Sequence, residues 1–373
     1  MKKKRKNVKT HLLSHSKAKV KLLGEYAKKY LSVICNDGFT EEIQIYDLFC
    51  GEGVYENGGE GSPLVILNAI NDVAEESRKN DRSLPTIKCL FNDKSKKKIS
   101  KLRAILELEK YDTTNCDINL RTIDYEKAIE KLIPHVNSLK NKKAFIFIDP
   151  YGYSGIKASQ IKDLMASKKA EVLLWLPTAQ MYRFEENGTP EALYDFLDDM
   201  DIEPYKQRKS IWKFIDRLKQ GFNSTVGEDF FVDTFSIKKD EKTVFCLYFF
   251  TSHIRGFEKM MESKWSIDEE FGRGWEFTGN NPSLFVEHKT NKFEEQLRNY
   301  IKSGRRYNSD IFTFSLQNSH LPSHATEILA DWQSNGMVDV LLKDGTPARK
   351  NSFYVKYRRK DHPDYQKVYF KIK

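Results

Sequence analysis

The chain has 373 residues, 39% apolar and 13% aromatic, with a formal net charge of +9. That length suits two domains with substantial cores. No apolar run approaches the roughly 18 residues a membrane helix needs, and the charged N-terminus has no apolar segment behind it, which argues against a secretory signal.

The five cysteines, Cys35, Cys50, Cys89, Cys116 and Cys246, are scattered, and none forms a C-x-x-C pair. That argues against a zinc knuckle or a disulfide framework and for a reducing, cytoplasmic setting. The charge is uneven. Residues 1–29 carry eleven Lys/Arg against Glu25 alone, and residues 345–373 carry nine against Asp361 and Asp364, leaving the middle at −8. Basic ends on an acidic body fit a protein that grips nucleic acid through terminal segments, although basic tails also serve solubility.

Residues 2–6, KKKRK, read as a basic arm. Leu23, Tyr26, Ala27, Tyr30, Leu31 and Ile34 then recur at three and four. This predicts a helix opened at Ser14 or Ser16 and closed by Asn36-Asp37-Gly38. EIQIYDLF (42–49) is a buried strand running into Gly51 and Gly53, which let the backbone turn tightly and approach a ligand. YENGGEG extends that loop, and Ser62-Pro63 opens the next helix, with Ser62 as a capping residue.

The alternation repeats. TIKCLFND is a strand ending on Asn92-Asp93, DINLRTID one ending on Asp124, and KKAFIFIDPYGYSG one ending on Asp149-Pro150. AEVLLWLP is a fifth, and helical segments lie between them. This predicts a doubly wound, mostly parallel α/β sheet. DFFVDTFSIKK and KTVFCLYFFTS read as a late antiparallel hairpin. A shift near Asn280-Asn281-Pro282 introduces three helices, FEEQLRNYIKSG, SDIFTFSLQNS and PSHATEILADWQSNG, with Ser323 a candidate cap. MVDVLLKDGTPARKNSFYVKYR then reads as two strands around Asp344-Gly345. Three helices and a hairpin describe a winged helix-turn-helix. The expected divisions are 1–34, basic arm and helix; 35–285, α/β domain; 286–373, winged helix.

In open α/β sheets, ligands bind at the carboxyl ends of the strands. Four polar signals end four successive strands here: Asp47 with Gly51 and Gly53, Asp93, Asp124, and Asp149-Pro150-Tyr151. Each aspartate alone could equally cap the helix that follows it. Together, in this order, they resemble class I S-adenosylmethionine-dependent methyltransferases.

The resemblance implies that Asp47, Phe49, Gly51 and Gly53 cradle the methionine part of S-adenosylmethionine. It implies that Asp93 takes the ribose hydroxyls and that Asp124 contacts the adenine. FIFIDPYGYSG is similar to the D-P-P-Y motif of enzymes that methylate exocyclic amines. By that likeness Asp149 and the Pro150 carbonyl accept hydrogen bonds from the target amine, and Tyr151 stacks on the base. The sequence departs from the pattern by one missing proline and by the YENGGEG extension.

DLFCGEGVYENGGEGSPL, FIDPYGYSG, the MYRF after the fifth strand and the winged-helix tail together resemble the three-Cys-motif partner protein (TcmP) family. That family is bacterial and phage-associated and is encoded beside a three-cysteine-motif protein of the radical S-adenosylmethionine type. The resemblance implies such a partner.

Gln180, Tyr182 and Arg183, past the fifth strand, are candidates to line a substrate pocket. His253 is a candidate general base. Arg349, Lys350, Arg358 and Arg359, in or after the wing, are candidates for nucleic-acid backbone contacts. No protease, esterase or phosphate-loop motif occurs, and no metal site is expected. The leading expectation is methyl transfer from S-adenosylmethionine to a nucleic-acid nitrogen. The rival is an idle methyltransferase-like module that binds nucleic acid and recruits the partner. A nuclease built on Glu52, Asp124 and Asp149 is a third reading.

Overall fold

The computed structural model describes residues 14–108, 111–185, 189–204, 210–240, 243–267, 274–276 and 290–373. The basic run 2–6 and the composition shift at 280–282 lie outside these residues. The chain divides into two units, Met1–Lys259 with Gly274–Phe277, and Met260–Arg273 with Thr278–Lys373. Among the described residues no helix is long and apolar enough to cross a membrane.

The first unit opens with α1 (Ser14–Ile34). It then alternates β1 (Glu42–Asp47), α2 (Ser62–Lys79), β2 (Thr86–Asn92), α3 (Lys96–Leu106), β3 (Asp117–Arg121), α4 (Tyr125–Asn137), β4 (Lys142–Ile148), α5 (Ala158–Met165) and β5 (Ala170–Leu176). Three helices follow, α6 (Thr178–Glu185), α7 (Glu191–Asp198) and α8 (Ile211–Val226). After them come β6 (Phe231–Asp240), β7 (Thr243–Thr251), α9 (Ile254–Ile267), which runs into the second unit, and the short β8 (Gly274–Glu276).

The eight strands form one sheet in the order β3-β2-β1-β4-β5-β7-β6-β8. β1 to β5 pair in parallel, and β7 lies antiparallel to both β5 and β6. This is the doubly wound class I methyltransferase-like arrangement with its late antiparallel hairpin. β4 and β5 are buried on both faces over most of their length, which explains their continuous apolar runs. One face packs α4, α5 and α8 through Ile129, Ile161, Leu164 and Phe222. The other is covered by α1, whose Tyr26 ring centroid lies 5.7 Å from Phe145 and 4.8 Å from Phe249.

Two helix starts differ from the sequence reading. Gly61 occupies the cap position of α2, so Ser62 is its first helical residue. Leu321 holds the same position before Pro322, which leaves Ser323 inside the first turn of the last helix.

The second unit contains α10 (Thr290–Lys302), β9 (Arg306–Tyr307), α11 (Asn308–Gln317), α12 (Pro322–Ser334), β10 (Val338–Leu342) and β11 (Val368–Ile372). It is a winged helix-turn-helix. The expected hairpin around Asp344-Gly345 forms but is short: Leu341 bridges Pro347, Leu342 N donates to Thr346 O at 2.8 Å and Ala348 N to Val340 O at 2.9 Å. The long partner of β10 is instead β11, which also pairs with β9. Asn351 and Tyr354 have φ of 61° and 55°, left-handed values that break an extended run. Phe353 and Val355 are still buried, so the alternation that looks like a strand serves core packing without a ladder.

Candidate functional site

The strand order reverses between β1 and β4, the topological switch point where ligands of open α/β sheets bind. Asp47 ends β1 there, level with Phe91 of β2 and Phe147 of β4. Asp93 and Asp149 each lie two residues beyond those partners. The three carboxylates therefore stand on one edge because strand register puts them there.

Asp47 is fully buried. Its Oδ1 accepts from the Phe49 N–H at 3.2 Å, and its Oδ2 has no partner in hydrogen-bond geometry. Burial pushes its pKa up to about 7. The Ser62 hydroxyl, the Phe49 N–H and the Lys19 ammonium oppose the rise, and the Asp149 charge adds to it. Beyond it, Gly51 and Gly53 adopt φ of 68° and 83°. A Cβ on Gly53 would stand 2.7 Å from Leu102 Cδ1, so α3 packs directly on the loop.

The YENGGEG extension folds back on itself. Val54 bridges Glu60, Tyr55 N donates to Gly59 O at 2.8 Å, and Gly61 N donates to Gly53 O at 2.6 Å. The extra residues form a narrow antiparallel excursion whose ends meet at Gly53 and Gly61, so α2 still starts beside the glycine loop. The excursion carries Tyr55 toward the site. Burial holds its phenol above the ordinary range. The Asp149 and Asp47 carboxylates add to that effect, against the Lys19 ammonium.

Asp93 is buried and occupied by its own chain. Its Oδ1 accepts from Ser95 N at 2.9 Å, and Lys98 Nζ donates to its Oδ2 at 2.9 Å. The same ammonium donates to Tyr151 Oη at 2.6 Å and lies 4.6 Å from that ring's centroid. Burial works to lower the Lys98 pKa, but the bonds to Tyr151 and Asp93 outweigh it and hold it raised. Asn92 makes the neighbouring turn. Its amide donates to Leu48 O and Ile123 O, and its Oδ1 accepts from Ile123 N, tying the ends of β1 and β3 together. Asp124 is exposed at the start of α4 and makes no side-chain cap there.

Asp149 is bonded by Lys19 of α1 through Oδ2. Its Oδ1 accepts no hydrogen bond among the described residues. Lys19 also sits 5.1 Å from the centroid of the Trp175 ring, which stacks on Phe245 at 5.6 Å. Burial disfavours the Lys19 charge, yet Asp149, Tyr55 and Asp47 together raise its pKa. Pro150 is buried and Tyr151 exposed. Phe49 stacks on Tyr125 at 5.2 Å, a core contact that steadies the loop.

Past β5, Gln180 and Arg183 are exposed, whereas Tyr182 packs against Phe214 at 6.0 Å. Tyr182 is thus drawn largely into the interior. His253 is at the wrong edge. β7 runs antiparallel to β5, so the residues following Thr251 lie at the amino ends of the parallel strands, opposite Asp149. There His253 Nδ1 accepts from Arg255 N at 3.1 Å, and burial lowers its pKa. Glu52 pairs with Lys101 at 2.7 Å, and no three acidic, His or Cys residues converge as a metal group among the described residues. The nuclease reading thus loses two of its three carboxylates to lysines.

In the second unit, Arg349, Lys350 and Arg359 are exposed on the excursion between β10 and β11. Arg358 is half-buried, with an Nε that has no hydrogen-bond partner. Lys19, Tyr55, Lys98 and Asn92 are the site residues the sequence reading passed over.

Residues 275–345 match the family model of the GMT-like wHTH domain. No curated protein matches the chain. Solved structures similar to it include a Legionella pneumophila protein, 11% identical over 62% of this chain and 85% of that one, with a TM-score of 0.35. Another is the SAM-dependent methyltransferase from Agrobacterium tumefaciens, 12% identical over 62% and 61%, TM-score 0.33. A third is Trm1 from Pyrococcus horikoshii in complex with S-adenosyl-L-methionine, 11% identical over 75% and 72%, TM-score 0.34. The chain thus carries a GMT-like winged helix-turn-helix domain at residues 275–345, and its other unit is the doubly wound, mostly parallel α/β sheet described above.

Proposed function

We propose that the carboxyl edge of the sheet binds S-adenosylmethionine and directs its methyl group to a nitrogen of a nucleic acid. The observation that carries this reading is Asp47, a fully buried carboxylate with one unpaired oxygen at the switch point, beneath a glycine loop. An unpaired buried oxygen is costly unless a ligand meets it, and the ammonium of the methionine part is the matching donor.

The residues fit the rest of that group. The turn of Gly51 and Gly53 leaves room for close approach. Asp93 offers a carboxylate to ribose hydroxyls once Lys98 yields, and Asp124 is free to meet the adenine. When bound, S-adenosylmethionine supplies a methyl on a sulfonium, already a good leaving group. The chain's own work is therefore mostly positioning. Asp149 accepts from the target amine through Oδ1 while Lys19 holds Oδ2, the Pro150 carbonyl accepts a second N–H, and Tyr151 stacks on the base. Arg349, Lys350, Arg358 and Arg359 contact the phosphate backbone.

Calorimetric titration with S-adenosylmethionine tests the cofactor site. Micromolar binding is expected, lost in Asp47→Ala and Asp93→Ala. Asp149→Ala should keep that binding and lose methyl transfer to nucleic acid. Full transfer by that variant removes Asp149 from the reaction.

One observation favours the second reading, a module with an idle site. Asp93 and Asp149 are both held by lysines of the same chain. In that reading the fold binds nucleic acid and recruits the three-Cys-motif partner that the TcmP resemblance implies. A folded protein that binds no S-adenosylmethionine yet captures that partner would support it.

A further inference from the structure

Charge in the second unit is segregated. From Tyr307 to Leu342 no Lys or Arg occurs, while Asp310, Glu327, Asp331 and Asp339 do. That run holds both helices of the helix-turn-helix, α11 and α12. In such motifs the second helix docks in the major groove of a duplex. Here the exposed positions of α12 are Ser323, Glu327, Asp331 and Ser334, one stripe along the helix. An acidic stripe meets the phosphate-lined walls of a groove with like charge, so α12 lacks what groove docking needs.

Cations stand instead on the outer face of the sheet β10-β11-β9. Tyr369 of β11 is level with Leu341 of β10 and Tyr307 of β9. Val338, Val340, Val368 and Phe370 are buried and form the inner face. Side chains alternate along strands, so Asp339, Tyr369 and the exposed Lys371 take the outer one.

Arg305, one residue before β9 and exposed, joins them. Its guanidinium lies 3.9 Å from the centroid of the Tyr369 ring and 5.3 Å from that of Tyr307. Its Nη2 donates to the Lys343 carbonyl, just past β10, at 3.0 Å. A ring and a carbonyl thus hold this guanidinium in place while it stays open to solvent. A fixed planar fork of donors suits phosphate oxygens. Among the described residues the strands place one carboxylate on this face, Asp339, and Lys373 bonds it at 3.0 Å. The face therefore stays positive through Arg305 and Lys371.

We propose that the outer face of the β10-β11-β9 sheet, and not α12, is where the second unit grips nucleic acid. Arg305 and Lys371 hold phosphates of the backbone, so binding is independent of base sequence. This deepens the nucleic-acid part of the function proposed above and rests on it; the cofactor plays no part.

Fluorescence anisotropy of the full chain over a range of salt concentrations tests it. The probes are labelled duplexes of two unrelated sequences and a labelled single strand, with affinities read on whichever form binds more tightly. Arg305→Ala and Lys371→Ala should each weaken binding roughly fivefold or more, alike for both sequences. Each should also lower the slope of log affinity against log salt by about one. Arg305→Lys keeps the charge without the fork, so it should keep the slope and lose part of the affinity. Ser323→Tyr, a bulky ring at the start of the exposed α12 stripe, should leave affinity unchanged. These side chains are exposed, so the variants should fold, and an unchanged melting temperature checks this. If Arg305→Ala destabilises the sheet, Lys371→Ala decides alone.

Wild-type affinity and slope in the Arg305 and Lys371 variants, or loss of binding in Ser323→Tyr, overturns the proposal. So does a wild-type preference of tenfold or more for one sequence. Polyglutamate that displaces the probe as well as unlabelled nucleic acid does assigns the face to acidic protein segments and overturns it too. The two readings fail separately. Binding lost in Arg349→Ala with Lys350→Ala, but intact in the Arg305 and Lys371 variants, removes this face and leaves the nucleic-acid partner standing. A folded wild type that binds neither strand nor duplex removes the partner itself, and the face with it.

Discussion

The ammonium of Lys19, on the N-terminal helix, is bonded to the carboxylate of Asp149, 130 positions away at the end of β4. The pair fastens α1 to the switch point of the sheet and leaves Asp149 only one free oxygen. Lys19 is the more buried partner, 13% exposed against 22%. Lys19→Met keeps most of the volume beside Trp175 and leaves Asp149 a carboxylate that water can reach. Its stability cost should therefore be modest, about 1 kcal/mol. Asp149→Leu instead strands a buried ammonium and should cost about 3 kcal/mol. Thermal denaturation of both variants at pH 7 checks the order. Equal costs would mean that the pair is not asymmetric.

The Asp47 carboxyl makes stability and ligand binding depend on pH. Its pKa is near 7 in the folded chain against an ordinary 3.8. The folded state therefore holds this proton more tightly than the unfolded chain, and stability falls as pH rises from about 4 to 7. Asp47→Asn should flatten that part of the profile and be more stable than wild type at pH 8. S-adenosylmethionine binding through its ammonium needs the charged carboxylate. Affinity should therefore rise through pH 7 in wild type and be lost in Asp47→Asn. A wild-type affinity flat from pH 6 to 8 would detach Asp47 from the ligand.

The legible parts of this site are the ones built by local pattern. Asp47, Asp93 and Asp149 each follow an apolar run, and strand register alone brings them to one edge. Lys98 sits in KSKKKISK, where composition marks a solvated helix start. Only the phase of α3 shows which lysine returns to Asp93. Lys19 and Tyr55 reach the site through packing of distant segments, for which the sequence carries no local signal. His253 fails as a base because alternation predicts a strand but not its direction, and β7 runs the other way. β10 is legible only in part: its turn at Asp344-Gly345 forms, but its long partner β11 lies beyond an excursion that imitates a strand.

The glycine loop yields a paired prediction. Gly53→Ala meets both a left-handed φ and Leu102 Cδ1 at 2.7 Å, whereas Gly58→Ala has φ of 78° in open space. Backbone strain alone costs about 1–2 kcal/mol at either position. Only Gly53→Ala also presses α3 away from the glycine loop. Both should lower the melting temperature, and only Gly53→Ala should weaken S-adenosylmethionine binding, by at least tenfold in calorimetry. Equal binding by the two variants would remove the loop from the site.

Asn308 organises the wing and carries the last prediction. It is 1% exposed at the start of α11. Its amide donates to the carbonyls of Tyr354, Asp364 and Tyr365 at 2.9–3.2 Å, and its Oδ1 accepts from the N–H groups of Lys367 and Val368. One side chain thus holds both ends of the irregular segment that carries Arg358 and Arg359 and delivers the chain into β11. Asn308→Ala leaves these backbone groups without their partner in a buried place, at a cost of about 3 kcal/mol. Asn308→Asp keeps the acceptor but sets a carboxylate against three carbonyls, so it should be no better. Hydrogen exchange resolves the effect by position. The Lys367 and Val368 amides should lose protection in both variants, while β1 and β4 in the other unit keep theirs. Nucleic-acid binding through the wing should weaken with S-adenosylmethionine affinity unchanged. Protection at Lys367 and Val368 equal to wild type would show that the β10–β11 ladder holds the segment without Asn308.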